Sequence, residues 1–334
     1  MQCVRPAVAA CGLPRGPLAG RPSRTAAPPA RRISVKQHAA SPPVDAAQDK
    51  LSNGGGPTQT PAAPAAPPAA HPVADCVIGP AVYALCVSLG EAKSTLPLSK
   101  MIPLGIAAGI YVGFGAMLAM SVGGNMPGAV ASNPGLQKFL FGAYGFPTAI
   151  LMVCVMGAEL FTGNAAFCTM ALREGRAKLG GVVKNLSVVW LANFVGAAAL
   201  AATFWAAGQP AGATPGNLAV AKCSLPLTQA FVRAVLCNFL VCIAVIQGNA
   251  ARSLASKFVG ILLPLSCFAS LGLEHSVANM FIITLGMLGG ADVTFAQMMT
   301  TNIIPVTIGN FVGAAVVLGG IYGAAYGKKA APAS

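Results

Sequence analysis

From position 101 the chain alternates long apolar runs with short polar joints. The runs come close to the roughly 20 residues a helix needs to cross a bilayer. Six can be read: 101–122; 139–160, interrupted and continuing to about 172; 182–207; 230–248; 257–288, interrupted near 272; and 302–326. They predict an all-α membrane protein of six transmembrane helices with the second and fifth broken. The six-helix domain is drawn at 101–327, followed by a tail at 328–334. Ahead of it, 73–100 reads as a mildly amphipathic lead-in, and 45–72 as a Pro/Ala/Gly linker without a packing pattern.

The fifth run is interrupted by Gly272-Leu273-Glu274-His275-Ser276-Val277-Ala278-Asn279, which holds the only His beyond position 71. A charged pair inside an apolar run is expensive in lipid and usually faces a protein-lined cavity. Gly272 predicts that the helix stops there, and irregular backbone at membrane depth is tolerated where it lines such a cavity. This segment is therefore the expected centre of a pore.

The second run holds a relative of that segment, Gly157-Ala158-Glu159-Leu160-Phe161-Thr162-Gly163-Asn164. Both read G-x-E-x-x-x-x-N. Downstream, Asn185 and Asn193-Phe194-Val195-Gly196-Ala197-Ala198 match Asn302 and Asn310-Phe311-Val312-Gly313-Ala314-Ala315. The copies are offset by 115 residues at the first block and 117 at the second. Each copy spans three helices, an odd number, so the second is inverted in the membrane. Broken helices of inverted repeats meet near the midplane in many transporters.

Composition agrees. Of 334 residues, 55% are hydrophobic and 9% charged, far from the roughly 25% charged residues of soluble domains. The net charge of +13 is not a nucleic-acid signature, because the basic residues form no patch with interleaved aromatics. Seven of the 21 precede the first acid, Asp45: Arg5, Arg15, Arg21, Arg24, Arg31, Arg32 and Lys36. An Arg-rich, acid-free, Pro-containing stretch fits an organelle transit peptide at 1–44, with plastid favoured over mitochondrion. Ten cations (Lys93, Lys100, Arg173, Arg176, Lys178, Lys184, Arg252, Lys257, Lys328, Lys329) fall on one side of the six spans. Three (Lys138, Lys222, Arg233) fall on the other, called the outer side below. The positive-inside rule then places both chain ends inside. The ten Cys show no CxxC pair; Cys154, Cys237, Cys242 and Cys267 read as small buried hydrophobes.

Several side chains could act in a pore. Histidine titrates near neutrality, so His275 could lend a proton to a small anion and take it back. A neutral acid crosses a greasy constriction more easily than its anion, since desolvating an unpaired ion is costly. Thr162 and Asn279 offer hydrogen bonds near the breaks, with Asn164 in the matching position. Glu159 and Glu274 are expected to accept from backbone amides freed there, rather than to bind metal. Lys222 either draws anions to the mouth or is an ordinary interfacial lysine. Asn238 either joins helices or touches the pore. Phe146, Ile150 and Phe268 are either constrictions or lipid-facing bulk.

In this order, Gly157–Asn164, Leu236-Cys237-Asn238-Phe239-Leu240-Val241-Cys242-Ile243-Ala244, Gly272–Phe281 and Asn302–Asn310 resemble the formate/nitrite transporter family over about 100 to 326. The resemblance implies an aquaporin-like protomer, a homopentamer in membrane lipid, and passage of small monovalent anions such as formate or nitrite, often with a proton. It implies His275 as the central pore histidine, Thr162 as the threonine of the first break, Asn238 as the asparagine near the histidine and Lys222 as the vestibule lysine. It implies Phe146, Ile150, Leu160, Phe161, Val241 and Phe268 as the apolar constriction. Joined to the leader, it points to nitrite import across the chloroplast envelope, at the inner membrane, as part of nitrate assimilation. Bicarbonate supply is the second reading and formate the third.

Other classes fit less well. A neutral-solute channel of the aquaporin type would need paired Asn-Pro-Ala signatures, and only Asn133-Pro134-Gly135 occurs, outside the breaks. An intramembrane enzyme built on Glu274 and His275 would lack a nucleophile or metal cluster, and no cofactor is expected. A structural anchor does not need a charged pair within a break.

Overall fold

The computed structural model describes residues 75–209 and 212–328. The leader, the linker and the end of the tail lie outside the described residues. Within them every regular element is helical, apart from one isolated bridge between Cys76 and Ala251.

The elements fall into two matching series. The first is α1 (Pro80–Thr95), α2 (Leu98–Val122), a short α3 (Pro127–Ser132), α4 (Pro134–Ala143), α5 (Gly145–Met156), α6 (Phe161–Arg173) and α7 (Leu179–Ala206). The second is α8 (Thr214–Cys223), α9 (Leu227–Ala250), α10 (Leu254–Ser270), α11 (Ser276–Leu288) and α12 (Phe295–Tyr326). Helix α12 contains π-helical turns at Met298–Ile303 and Gly313–Leu318. Helices α2, α7, α9 and α12 are long and apolar enough to cross a membrane whole, as is the α4–α5 segment. The fifth span is made of two shorter apolar helices, α10 and α11. The chain is a multi-pass membrane protein.

Membrane helices lack a hydrophobic drive to associate and rely on close backbone approach at small residues. Gly196 of α7 packs on the carbonyl of Ile106 in α2, and Gly313 of α12 on that of Val235 in α9; a Cβ at either glycine would overlap the carbonyl. The repeat thus uses one packing device twice. Large apolar side chains such as Leu191, Leu263 and Val316 stay exposed on the outside, an apolar surface that suits a membrane rather than water.

Four expectations shift. The lead-in at 73–100 contains a full helix, α1, packed on α6, so the packed unit begins near Pro80 rather than at 101. The stretch after the first break, α6, is a 13-residue half-span, not a short continuation. Helix α12 begins at Phe295, seven residues before the expected 302, because a capping box at Thr294 and Gln297 starts it early. Of the four cysteines read as buried, Cys237 and Cys242 are, whereas Cys154 is half-buried and Cys267 exposed.

Candidate functional site

Both breaks are built alike. Helices α5 and α10 end where Gly157 (φ 66°) and Gly272 (φ 65°) turn left-handed, a conformation that costs other residues roughly 1–2 kcal/mol. The amide of Ala158 then donates to Val153 O at 3.0 Å, and that of Leu273 to Phe268 O at 3.2 Å, the closure of a Schellman motif. Two residues on, Leu160 and His275 are extended and the chain re-enters helix as α6 and α11. The N-terminal turns of these half-helices meet at Thr162 and His275, whose Oγ1 and Nε2 lie 3.1 Å apart. Helix N-termini carry partial positive charge, which suits an anion.

The break fixes the imidazole. His275 is the N-cap of α11, and its Nδ1 accepts from the amide of Ala278 at 3.0 Å. A neutral ring so engaged carries its proton on Nε2 and donates it to Thr162 Oγ1. Phe268 flanks the ring, with centroids 6.0 Å apart, and Phe146 stands 5.2 Å beyond. Phe146, Ile150, Leu160, Phe161, Val241 and Phe268 are all buried, so none is lipid-facing bulk. Asn238 is also buried, and its Nδ2 donates to Thr162 O at 3.2 Å and Asn310 O at 2.7 Å. It ties the first turn of α6 to α12 through their backbones.

The two glutamates do not do what the sequence led us to expect. The freed amides are taken by asparagines: Phe161 N donates to Asn193 Oδ1 at 2.9 Å, and Ser276 N to Asn310 Oδ1 at 2.8 Å. Glu159 instead receives Lys93 at 2.7 Å and Asn164 at 2.6 Å, while Glu274 receives Lys222 at 2.9 Å and Asn279 at 2.6 Å. Asn185 Nδ2 bridges Lys93 O and Glu159 Oε2, as Asn302 Nδ2 bridges Lys222 O and Glu274 Oε2. The reason is charge: a buried carboxylate is stabilised far more by an ammonium and two amides than by lone backbone N–H groups.

Lys222 is therefore an anchor, with 15% of its side chain exposed. Lys93 is its unforeseen counterpart. The signal was present: Ala92-Lys93-Ser94-Thr95-Leu96-Pro97-Leu98 parallels Ala221-Lys222-Cys223-Ser224-Leu225-Pro226-Leu227 at an offset of 129. The change from 115 to 129 hid it.

Cavities flank the central pair. On the inner side one of about 250 Å³ is lined by Lys93, Gly157, Glu159, Leu160 and Asn164. On the outer side one of about 570 Å³ reaches Leu271 and Gly272. Asn133-Pro134-Gly135 lies away from both breaks, where the Asn133 side chain caps α4. Among the described residues no three His, Cys, Asp or Glu side chains group as a metal site would need.

These features define a channel-type membrane fold: an inverted repeat around two facing half-helices. The chain belongs to the formate/nitrite transporter family, whose sequence model, described as Formate/nitrite transporter, matches residues 80–324. A probable formate transporter of Methanothermobacter thermautotrophicus is 40% identical over 265 residues, covering 73% of this chain and 95% of the relative. The nitrite transporter NirC of Salmonella typhimurium is 32% identical, covering 71% and 88%. Among solved structures, an FNT family ion channel superposes with a TM-score of 0.67 at 30% identity, covering 73% of this chain and 98% of that one. A pentameric formate channel with formate bound gives 0.59, also at 30% identity, covering 69% and 98%. These relatives are transporters and channels rather than enzymes.

Proposed function

We propose that this protein carries a small monovalent anion across a plastid envelope membrane, with nitrite as the physiological substrate, as one protomer of a homopentamer. The observation that carries the reading is the contact between Thr162 and His275, where two helix N-termini meet at an Nε2–H donor amid buried apolar side chains. That surrounding penalises a bare anion everywhere except at this donor. The names of the relatives, among them formate and nitrite transporters, support the substrate class, and the acid-free basic leader supports the plastid. The pentameric assembly of a structural neighbour supports the oligomer.

A proton relay through His275 has a geometric requirement. Adding a proton at Nδ1 would set N–H against the amide of Ala278, so the relay runs only when that cap opens. The test is uptake by the purified chain in liposomes, comparing nitrite, bicarbonate and formate at two pH values. Fast nitrite flux stimulated by acid is expected. Bicarbonate flux with little nitrite would move the protein to inorganic-carbon supply, and flux that ignores pH would remove the relay.

A further inference from the structure

Of the three outer cations, Lys222 is neutralised by Glu274. The other two, Lys138 of α4 and Arg233 of α9, share the wall of the outer cavity with the polar side chains of Gln137, Thr214 and Asn217. Among the described residues neither has a carboxylate within 4.0 Å. Two unpaired like charges around one polar cavity repel each other, and an anion between them relieves that.

The cavity leads towards the pore. Its wall includes Phe141 and the end of α10 up to Gly272. Phe141 stands 6.4 Å from Phe146, Phe146 5.2 Å from Phe268, and Phe268 6.0 Å from His275, ring centre to ring centre. A chain of rings thus runs from the cavity to the central donor.

The repeat shows that the charge of Arg233 is not scaffold. Applying the offset of 129 that matches Lys93 to Lys222, the counterpart of Arg233 is Leu104. The register is sound, since the next residues, Gly105 and Ala234, accept the same asparagine bond, from Asn193 and Asn310. The cation on the inner cavity wall is Lys93, already paired with Glu159. The fold forms in its first half with leucine where the second half has arginine.

We infer that Lys138 and Arg233 form an outer capture site for a small monovalent oxyanion, which loads the pore from that side. The guanidinium fork accommodates the two oxygens of a planar anion, and the ammonium adds a point charge. Clefts lined by one sign of charge raise local counter-ion concentration and entry rates by about 10- to 1,000-fold at low salt. The inference rests on the anion-transport reading and adds where the anion is first held.

The test compares the full chain with the double variant Lys138→Gln/Arg233→Gln in liposomes of zwitterionic lipid, with nitrite, formate and bicarbonate as probes. A charge-matched control, Lys100→Gln/Lys178→Gln, removes two exposed cations elsewhere. The expected result is a half-saturation concentration raised on the order of tenfold, with a flatter dependence on ionic strength. The control behaves as the parent, and Lys138→Arg/Arg233→Lys restores most of the loss. Unchanged half-saturation and salt dependence in the double variant would overturn the site. So would a defect seen only with anionic lipid, which would assign both cations to phosphate headgroups. A parent chain that carries none of the three anions would overturn the transport reading itself, before any variant is compared.

Discussion

The hydroxyl of Thr162 and Nε2 of His275 meet at 3.1 Å although 113 residues separate them and each belongs to a different copy of the repeat. Neither half alone contains the pair. The second partner of the imidazole, the Ala278 amide on Nδ1, makes the ring a helix cap as well as a donor.

These two tasks separate in His275→Asn. Asparagine is a good N-cap, so α11 keeps its start, but the titratable ring is gone. The expected outcome is a correctly assembled protein whose flux no longer rises between about pH 8 and 5. Stopped-flow uptake across that range reads it. Persistent acid stimulation would assign the proton to the substrate or the vestibule instead of the imidazole.

Lys93→Ala and Lys222→Ala each leave a buried carboxylate unpaired, a change that costs about 3–5 kcal/mol in such settings. Both should lower the unfolding temperature and the yield of intact protein. Lys93→Met joined to Glu159→Gln removes both charges and should recover most of the loss. Thermal unfolding in detergent reports this. A Lys222→Ala protein that is stable but slow in flux would return Lys222 to the role of a lure for anions.

Asn238→Leu should damage the pore more than the fold. It withdraws one donor from each of two buried carbonyls, those of Thr162 and Asn310. Each lost hydrogen bond is worth about 0.5–1.5 kcal/mol. Part of that is relieved by tilting the first turn of α6, which moves Thr162 off His275. Flux should fall several-fold at unchanged oligomer size, and wild-type flux in the variant would show that Asn238 only glues helices.

Deleting residues 1–44 should abolish delivery to the organelle yet leave transport in liposomes intact. Import assays with isolated plastids and mitochondria check both parts. Correct delivery of the shortened chain would disprove the transit assignment.

The breaks were legible because glycine, glutamate and asparagine recur at one spacing, and a lone histidine marks the centre. The network around them was not. Asn193 and Asn310 were visible as repeat markers, but their capture of the Phe161 and Ser276 amides depends on α7 and α12 crossing the breaks at one height. That left the glutamates to be given the wrong partners. Lys93 was counted for orientation alone, since one polar residue in an amphipathic stretch looks like a solvated face. Arg233 and Lys138 shared that fate, because only the assembled structure puts them around one cavity.

The anchoring network has a consequence for how the protein is made. The bonds that anchor Glu159, from Lys93, Asn164 and Asn185, and that of Asn193 to Glu159 O stay within the first half, and their counterparts at Glu274 within the second. A nascent chain can lock its first half while the second is still on the ribosome. The conducting path then exists only once the late-arriving α11 brings His275 against Thr162.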